Sequence, residues 1–245
     1  MLNIYKIKGI QKYLPQQEYN PHFATHGMLI KKHMVVCGGT GTGKSSFLTN
    51  YINQLYDTFQ HIYIFTKDVT EEIYVYMKDG IGDAMTLELI DKVPSLKEIK
   101  KYESALIVFD DFICCNKSVI QTLETYSIMA RKHGFTCIYL TQSYFKTPIT
   151  LRQNCRYLTL LALTNKTNSD LIVGNLSIDL KKETIKKILG NATKFKMNCC
   201  LIDMQSNDNL NKTFRRNFND YYTVVDDNLD EIENVKMYET DGIIN

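Results

Sequence analysis

The chain has 245 residues, a formal net charge of +2 and 44% hydrophobic residues, which fits one large α/β domain with a substantial core, alone or with extensions. The small net charge does not by itself indicate a nucleic-acid binder, and the seven cysteines lack the spacing of a zinc site. The chain opens without a secretion signal and has no run of about 18 apolar residues, so we expect a protein that is not secreted, does not span a membrane and works in a reducing compartment.

Residues 1–32 are predicted to form an N-terminal extension, because they hold Pro15, Pro21 and several aromatic residues ahead of the first clear strand. We expect this segment to pack along the edge of a sheet or to reach a neighbouring subunit. Its two histidines, His22 and His26, have no companion metal ligands, which favours packing or surface roles over metal binding.

A strand predicted at residues 33–37 leads into Gly-Gly-Thr-Gly-Thr-Gly-Lys-Ser, the G-x-x-x-x-G-K-S pattern of a phosphate-binding loop, and a helix is predicted over 44–59. Glycines let the backbone N–H groups surround a phosphate, and the helix N-terminus adds positive charge. Lys44 can reach the outer phosphates, and the Ser45 hydroxyl can ligate Mg²⁺. The residues predicted to hold the nucleotide are Gly38, Gly39, Thr40, Gly41, Thr42, Gly43, Lys44, Ser45 and Ser46. The alternative is a glycine-rich turn that binds no ligand.

Strands and helices alternate along the rest of the chain, which predicts a parallel sheet with helices on its faces. The predicted strands are residues 61–66, 85–90, 105–109, 136–141, 157–163, 196–203 and 213–218. The predicted helices are residues 71–77, 94–101, 118–132, 168–174 and 178–189, with a helical turn between 148 and 155. The last two strands are expected to form an added C-terminal hairpin at the sheet edge.

Two acids, Asp110 and Asp111, follow the continuous apolar strand at 105–109, as in a Walker B motif. Asp110 is predicted to hold Mg²⁺ through its water shell, and Asp111 to polarise the attacking water. Gln142 ends the next buried strand, where its amide could contact both a γ-phosphate and that water. The alternatives are two solvated acids and a polar strand end.

The segment Thr164-Asn165-Lys166-Thr167-Asn168 is similar to the guanine-reading N-K-x-D motif of GTPases. Its fourth position is Asn168 rather than Asp, so the carboxylate that reads guanine is missing. ATP is therefore the expected nucleotide.

Three motifs in this order resemble the FtsK/HerA superfamily of ASCE-type P-loop ATPases: G-G-T-G-T-G-K-S, A-L-I-V-F-D-D and A-R-K-H-G-F-T-C-I-Y-L-T-Q-S. Within it the chain looks most like the genome-packaging ATPases of nucleocytoplasmic large DNA viruses, poxviruses and virophages. The resemblance covers about residues 34–163.

The resemblance implies a three-layer fold with an added strand between the phosphate-loop strand and the Walker B strand, which places Gln142 beside the γ-phosphate. It also implies that Arg131 serves a neighbouring subunit's site, with Arg152 and Arg156 as the reserve candidates. The alternative for Arg131 is a cation that balances a helix C-terminus.

The resemblance further implies an ATP-driven motor that moves double-stranded DNA into a viral capsid, with ATP and Mg²⁺ as cofactors. The implied partners are double-stranded DNA, a homo-oligomeric ring of five or six copies, and viral capsid proteins. The implied location is the host cytoplasm and also the virion. Residues 33–223 would be the P-loop ATPase domain and 224–245 an acidic tail, whose net charge of −6 leaves +8 on the rest of the chain.

Three alternative functions stay open: a HerA-like cellular DNA translocase, a P-loop nucleotide or nucleoside kinase, and a nucleotide-dependent scaffold without turnover. The basic residues available for DNA are Lys146, Lys181, Lys182, Lys186, Lys187, Arg215 and Arg216. A lysine-rich helix is, however, more often a solvated face than a DNA contact.

Overall fold

The computed structural model describes residues 19–81, 86–100, 102, 104–112, 115–163, 166–206, 212–224 and 232–236. Most of the predicted extension, the start of the strand predicted at 85–90, Asn165 of the dismissed guanine-like motif and most of the predicted acidic tail lie outside these residues. Among the described residues, no helix has both the length and the apolar content that crossing a bilayer requires.

The described strands form one sheet. They are β1 (His33–Cys37), β2 (His61–Phe65), β3 (Thr86–Ile90), β4 (Ala105–Asp110), β5 (Phe135–Thr141), β6 (Cys155–Leu161), β7 (Cys199–Asp203), β8 (Phe214–Arg216), β9 (Asp220–Val224) and β10 (Ile232–Lys236). Their order is β10-β9-β8-β7-β6-β1-β5-β4-β2-β3. The six strands from β6 to β3 are parallel, and β6 to β10 pair antiparallel. The predicted mainly parallel sheet is confirmed, and so is the implied position of β5 between β1 and β4.

Helices cover both faces of the parallel part. They are α1 (Phe23–His26), α2 (Lys44–Gln54), α3 (Glu72–Gly80), α4 (Lys117–Met129), α5 (Ile149–Asn154), α6 (Lys166–Asn175) and α7 (Lys182–Ala192). On one face α2 packs through Phe47, Leu48 and Tyr51, all buried in one apolar cluster with Met34 and Val36 of β1. A second cluster joins α4 and α7 to the other face. Each large apolar side chain buried in this way contributes about 1.5 to 3 kcal/mol, so both layers are needed for the fold.

Several predicted boundaries differ from the structure. α2 ends at Gln54 rather than at residue 59, and Asp57 just beyond it takes a left-handed φ of 59° that a helix cannot continue through. The helix predicted at 94–101 is wrong: the described residues there form turns, in which the Glu98 side chain accepts the Ser95 N–H at 2.7 Å. So short a segment cannot offset the cost of helix nucleation by itself.

The C-terminal hairpin is present but does not end the sheet. β7 and β8 pair antiparallel as predicted, and β9 and β10 then extend the sheet beyond them. β10 lies inside the predicted acidic tail, and its sequence, Ile-Glu-Asn-Val-Lys, does not alternate apolar and polar residues, so periodicity gave no strand signal there. The hairpin is therefore internal, and its predicted position at the sheet edge is wrong.

The described end of the predicted extension, residues 19–32, packs tightly on the domain. Met28 and Ile30 are buried, and the Leu29 N–H donates to the Tyr157 hydroxyl at 3.0 Å. Arg215, which lies near the other end of the sequence, donates from Nη1 to the His26 carbonyl at 2.8 Å. These contacts lie at the amino ends of the central strands β5 and β6, opposite the phosphate loop, rather than along an edge strand. The expected reach to a neighbouring subunit stays a prediction.

Acidification should weaken the fold through His33, the first residue of β1. This side chain is 4% exposed, and its Nδ1 accepts the Cys137 N–H at 3.0 Å. Burial, followed by the charges of Arg131 and Lys32, lowers the pKa of His33 from 6.5 to about 4. The unfolded chain takes up a proton near pH 6.5 and the folded chain does not, so stability present above that pH is lost as the pH falls toward 4.

At 1.4 kcal/mol per pKa unit, the loss from His33 should approach about 3 kcal/mol at pH 4. Chemical denaturation of the parent and of His33→Asn at neutral and acidic pH measures it, because asparagine can still accept the Cys137 N–H and does not titrate. His22→Asn is the matched control, since His22 is only half-buried. Equal acid sensitivity in the parent and His33→Asn would contradict the prediction.

Candidate active site

The loop between β1 and α2 is held against the sheet by its glycines. The Gly38 N–H donates to the Thr141 carbonyl at the end of β5, at 3.0 Å. Gly41 and Gly43 have φ values of 72° and 105°, which side chains other than glycine rarely adopt. The loop thus curls back over the carboxyl end of β1 and presents its backbone to a ligand.

Lys44 begins α2 and folds back over the loop. Its Nζ lies 3.2 Å from the Gly38 carbonyl and 3.3 Å from the Gly39 carbonyl. The first N–H groups of α2 have no partner inside the helix, and their positive end faces the same space. The predicted phosphate-binding loop therefore combines the charge of the Lys44 side chain with a fixed set of backbone amide donors.

The loop and the tips of β4 and β5 share one cleft of about 420 Å³. Its lining consists of Thr40, Gly41, Gly43, Lys44, Ser45, Ser46, Glu71, Asp110, Asp111, Gln142 and Met197. Parallel strands end at one sheet edge, which explains why motifs far apart in the chain meet here. Except for Arg131, the residues predicted to be catalytic come together in this cleft.

Asp110 is held by a buried tyrosine. The Tyr74 hydroxyl donates to Asp110 Oδ2 at 2.7 Å. Burial raises the pKa of the Asp110 carboxyl, and the Tyr74 hydrogen bond opposes that rise. Glu71 lies nearby with its Oε1 3.4 Å from Ser45 Oγ, and burial followed by the charge of Asp110 raises the pKa of Glu71.

Hydroxyl and carboxylate oxygens are the donors that Mg²⁺ prefers, so Ser45 and Asp110 fit the predicted metal. Within the described part of the chain, no group of three or more His, Cys, Asp and Glu side chains is placed to hold a metal ion. Mg²⁺ at this position would therefore depend on water and on the phosphates of a nucleotide for most of its ligands.

Gln142 links the phosphate loop to Asp111. Its Nε2 donates to Asp111 Oδ2 at 2.6 Å, and its Oε1 accepts from Thr40 Oγ1 at 3.5 Å. Asp111 takes a left-handed φ of 56°, which turns the chain just after β4. A ligand that displaces Thr40 or Gln142 would therefore also move the Asp111 side chain.

Sequence reasoning missed Glu71, Tyr74 and Met197. Glu71 and Tyr74 follow β2, and their signal was only that β2 ends at the same edge as β4. Met197 has a φ of 70° and presses on the loop, since a Cβ at Gly43 would lie 2.5 Å from its sulfur. No motif marks Met197. It lies beside the loop because β7 runs antiparallel to β6, so the residues just before β7 are at the carboxyl end of β6.

Arg131 lies away from its own phosphate loop. It belongs to a 3-10 turn, Ala130–His133, that precedes β5, whereas Gln142 follows β5. At about 3.3 Å per residue, the seven residues of β5 separate the two positions by about 20 Å. The exposed Arg131 instead lines a polar cleft of about 210 Å³ with Lys32 and Arg156.

The reserve arginines already have partners within the chain. Arg156 pairs with the buried Asp203 at 2.7 Å, and Arg152 packs on the Tyr144 ring at 4.8 Å. Both interactions hold these guanidinium groups against the protein, which leaves Arg131 the more accessible of the three candidates.

The structure also reduces the set of residues available for DNA. Arg215 is only 3% exposed and its guanidinium bonds the carbonyls of His26 and Gly27, so its assignment to a DNA surface is wrong. Arg216 is bonded to Asp220 at 2.8 Å, and Lys186 is paired with Asp170 at 2.8 Å. Surface pairs of this kind are weak and can exchange for a phosphate.

Replacing Gly38 by alanine should distort the loop. The added Cβ would lie 2.5 Å from Thr42 Oγ1 and 2.8 Å from Leu161 Cβ, so the backbone has to move. We expect the affinity for a nucleoside triphosphate to fall by at least about tenfold, equivalent to 1.4 kcal/mol, in a fluorescence titration.

Gly190→Ala is the matched control for this substitution. A Cβ at Gly190, in α7, meets nothing within 4 Å, so affinity should be kept and the helix gain about 0.5 to 1 kcal/mol. Parental affinity in Gly38→Ala would show that the close approach of the loop to β6 has no part in binding.

Comparisons with known proteins give a matching family model and solved structures of similar fold. A family model described as Poxvirus A32 protein matches residues 21–204.

Solved structures with a similar fold are also found. B204, the DNA-packaging ATPase from Sulfolobus Turreted Icosahedral Virus, is 12% identical with a TM-score of 0.56, covering 77% of this chain and 98% of that chain. The genome packaging NTPase B204 from Sulfolobus turreted icosahedral virus 2 in complex with sulfate is 15% identical with a TM-score of 0.55, covering 76% and 95%. The same NTPase in complex with ATP-gammaS is 12% identical with a TM-score of 0.52, covering 77% and 98%. At these identities the likeness shows the fold, and no curated protein sequence matches the chain.

Proposed function

The chain belongs to the family of the Poxvirus A32 protein, and from that membership we propose that it is an ATPase that drives double-stranded DNA into a viral capsid. The observation that carries the proposal is the single cleft in which the phosphate loop, Asp110 and Gln142 meet. Hydrolysis of a nucleoside triphosphate needs these parts together: a phosphate cradle, a metal-binding acid and a group that contacts the γ-phosphate.

Lys44 would exchange its two carbonyl partners for the outer phosphates of ATP. The loop N–H groups and the N-terminus of α2 would hold the remaining charge. Ser45 and Asp110 would hold Mg²⁺, which neutralises charge on the phosphates. The sequence predicts that Asp111 positions the attacking water and that Gln142 contacts the γ-phosphate; Gln142 is kept here for the γ-phosphate, and both residues line the cleft in which the water would be held.

Gln142 would couple the state of the bound nucleotide to the position of neighbouring segments. It bonds the loop through Thr40 and the end of β4 through Asp111, so the presence of a γ-phosphate would change both contacts. A two-state contact of this type can couple hydrolysis to movement of a subunit. The proposed partners are double-stranded DNA, further copies of the chain in a ring, and capsid proteins in the infected cell.

The DNA contact is proposed to use backbone phosphates, because translocation has to be independent of base sequence. The exposed lysines of the predicted set are the candidates for this contact. The packaging proteins with the similar fold support DNA as the proposed substrate, since one B204 protein is described as a DNA-packaging ATPase and the other as a genome packaging NTPase.

The kinase alternative requires a lid over the nucleotide, and the short basic stretch at residues 181–187 is a poor candidate for one. A kinase lid would have to move over the nucleotide, but Ile185 and Ile188 bury α7 in the core. The basic residues of this helix therefore lie on a packed element and not on a hinged lid.

An ATPase assay with and without linear double-stranded DNA tests the proposed function. We expect Mg²⁺-dependent turnover that rises severalfold on DNA addition. Phosphate transfer to a nucleoside monophosphate with no effect of DNA would replace the motor with a kinase, and nucleotide binding without turnover would leave a scaffold. Recovery of the protein on assembling capsids would separate packaging from the role of a HerA-like cellular translocase.

A further inference from the structure

Glu71, which belongs to none of the sequence motifs, lies inside the phosphate cleft. It follows β2 by way of a loop fixed by short bonds: the Thr66 N–H donates to the Ile90 carbonyl at 3.0 Å, and the Thr70 N–H to Asp68 Oδ1 at 2.9 Å. β2 neighbours β4 in the sheet, so this loop emerges beside Asp110. The position of Glu71 is therefore set by the strand order.

The side chain of Glu71 faces the site although the residue stands at a helix start. Glu71 directly precedes α3, where its carbonyl accepts the Tyr74 N–H at 2.9 Å, yet its carboxylate makes no cap with the helix. The carboxylate turns into the cleft instead, with Oε1 at 3.4 Å from Ser45 Oγ. Helices are usually capped from this position by the shorter side chains of Asp, Asn, Ser or Thr. The longer Glu71 side chain makes no such cap and extends into the cleft.

Three oxygen-bearing side chains thus surround the place where the phosphates would end. Ser45 and Asp110 are the predicted metal residues, and one oxygen of Asp110 is already engaged by Tyr74. Glu71 is the third, and its hydrogen-bond partner among the described residues is the weakly bound Ser45 hydroxyl. Because this one hydrogen bond is long, at 3.4 Å, the Glu71 carboxylate can also accept a hydrogen bond from a water molecule.

Asp111, the acid that sequence reasoning favoured for that task, is differently placed. Its Oδ2 accepts the Gln142 amide at 2.6 Å, a short bond that holds the carboxylate toward β5. Its left-handed backbone commits the residue to turning the chain after β4. Asp111 is therefore engaged as the partner of Gln142.

We infer that Glu71 is the catalytic carboxylate that bonds and orients the attacking water; this inference rests on the proposed function as an ATPase. In the step, the water oxygen forms a bond to the γ-phosphorus while the bond from that phosphorus to the β–γ bridging oxygen breaks. The electron pair of the broken bond stays with ADP. The proton of the water passes to the Glu71 carboxylate and then to solvent, so ATP and water are the reactants and ADP, phosphate and a proton are the products.

Glu71→Gln tests the inference, because the amide keeps the shape of the side chain and loses the capacity to accept the proton. In the full-length protein with double-stranded DNA, ATP turnover should fall by about 100-fold, the range of a lost general base. Mg²⁺-dependent affinity for a fluorescent ATP analogue should stay within about twofold of the parent, since a twofold change is small beside the effect of a lost phosphate or metal contact. Glu72→Gln makes the same chemical change one residue along, on the exposed side of α3, and should keep parental turnover.

Glu71→Asp provides a second variant that keeps the charge and withdraws it by one methylene. It should also lose turnover while binding nucleotide, because the water is then held at the wrong distance. Retained nucleotide binding in both variants shows that they are folded.

Two results would overturn the inference. Parental turnover in Glu71→Gln is the first, and arrest by Asp111→Asn would in that case assign the water to Asp111. The second is a loss of Mg²⁺-dependent affinity that matches the loss of turnover, which would make Glu71 part of the metal shell. A parent protein that binds but never hydrolyses ATP would instead overturn the proposed function, and this inference with it.

Discussion

ATP hydrolysis is expected to fall by about 10³-fold when Lys44 is replaced by alanine, the upper range for loss of one preorganised donor. Lys44 is the cation that lines the loop itself, and its Nζ rests 3.2 Å from the Gly38 carbonyl, ready to turn to a phosphate. Removing it leaves the outer phosphates with amide donors and Mg²⁺ alone. Charge developing on the transferred phosphoryl group would then lack its direct counter-charge.

Release of phosphate by purified protein, with ATP, Mg²⁺ and double-stranded DNA, measures the effect of Lys44→Ala. Lys78→Ala is the control, since this exposed lysine lies in the last turn of α3, outside the cleft. If Lys44→Ala hydrolysed ATP as fast as the parent, the loop would not be the nucleotide site.

Arg131→Ala is expected to lower turnover by about 10³-fold in an assembled ring, the range known for an arginine supplied in trans. The argument depends on distance: about 20 Å of β5, at 3.3 Å per residue, separate Arg131 from its own cleft. A direct contact of Arg131 with the transferred phosphoryl group would therefore have to be made in the site of a neighbouring copy. Lys132→Ala removes the adjacent exposed cation and should have little effect.

Mixing two inactive proteins gives the sharpest form of this test. Lys44→Ala subunits keep Arg131, and Arg131→Ala subunits keep the phosphate loop, so a mixed ring contains some complete sites. Turnover should return on mixing, in proportion to the fraction of neighbouring pairs in the productive order. A mixture that stays inactive, or full turnover by Arg131→Ala alone, would refute the assignment and favour the reading of Arg131 as a helix-terminal cation.

The sequence predicted the central sheet well because its signals are local. The strand at 105–109 is a continuous apolar run, and those at 33–37, 61–66 and 136–141 are apolar apart from a polar residue at one or both ends, as expected in a sheet covered on both faces. The helix predicted at 94–101 failed because its buried Leu96 and Ile99 pack on the core from a turn, and apolar spacing alone cannot distinguish the two. β9 and β10 were missed because neither Asp-Tyr-Tyr-Thr-Val nor Ile-Glu-Asn-Val-Lys alternates apolar and polar residues, which is the signal of a half-buried strand.

By itself the sequence determined the phosphate loop, the acids at the end of β4 and Gln142 at the end of β5. Each is a short pattern whose function depends on residues a few positions apart. Only the tertiary structure decided that Glu71 and Tyr74 join Asp110, that Met197 presses on Gly43, and that Arg131 lies too far from its own loop to act there. Those facts depend on which strands are neighbours and in which direction they run, and that order follows from long-range packing of the sheet, which no local pattern records.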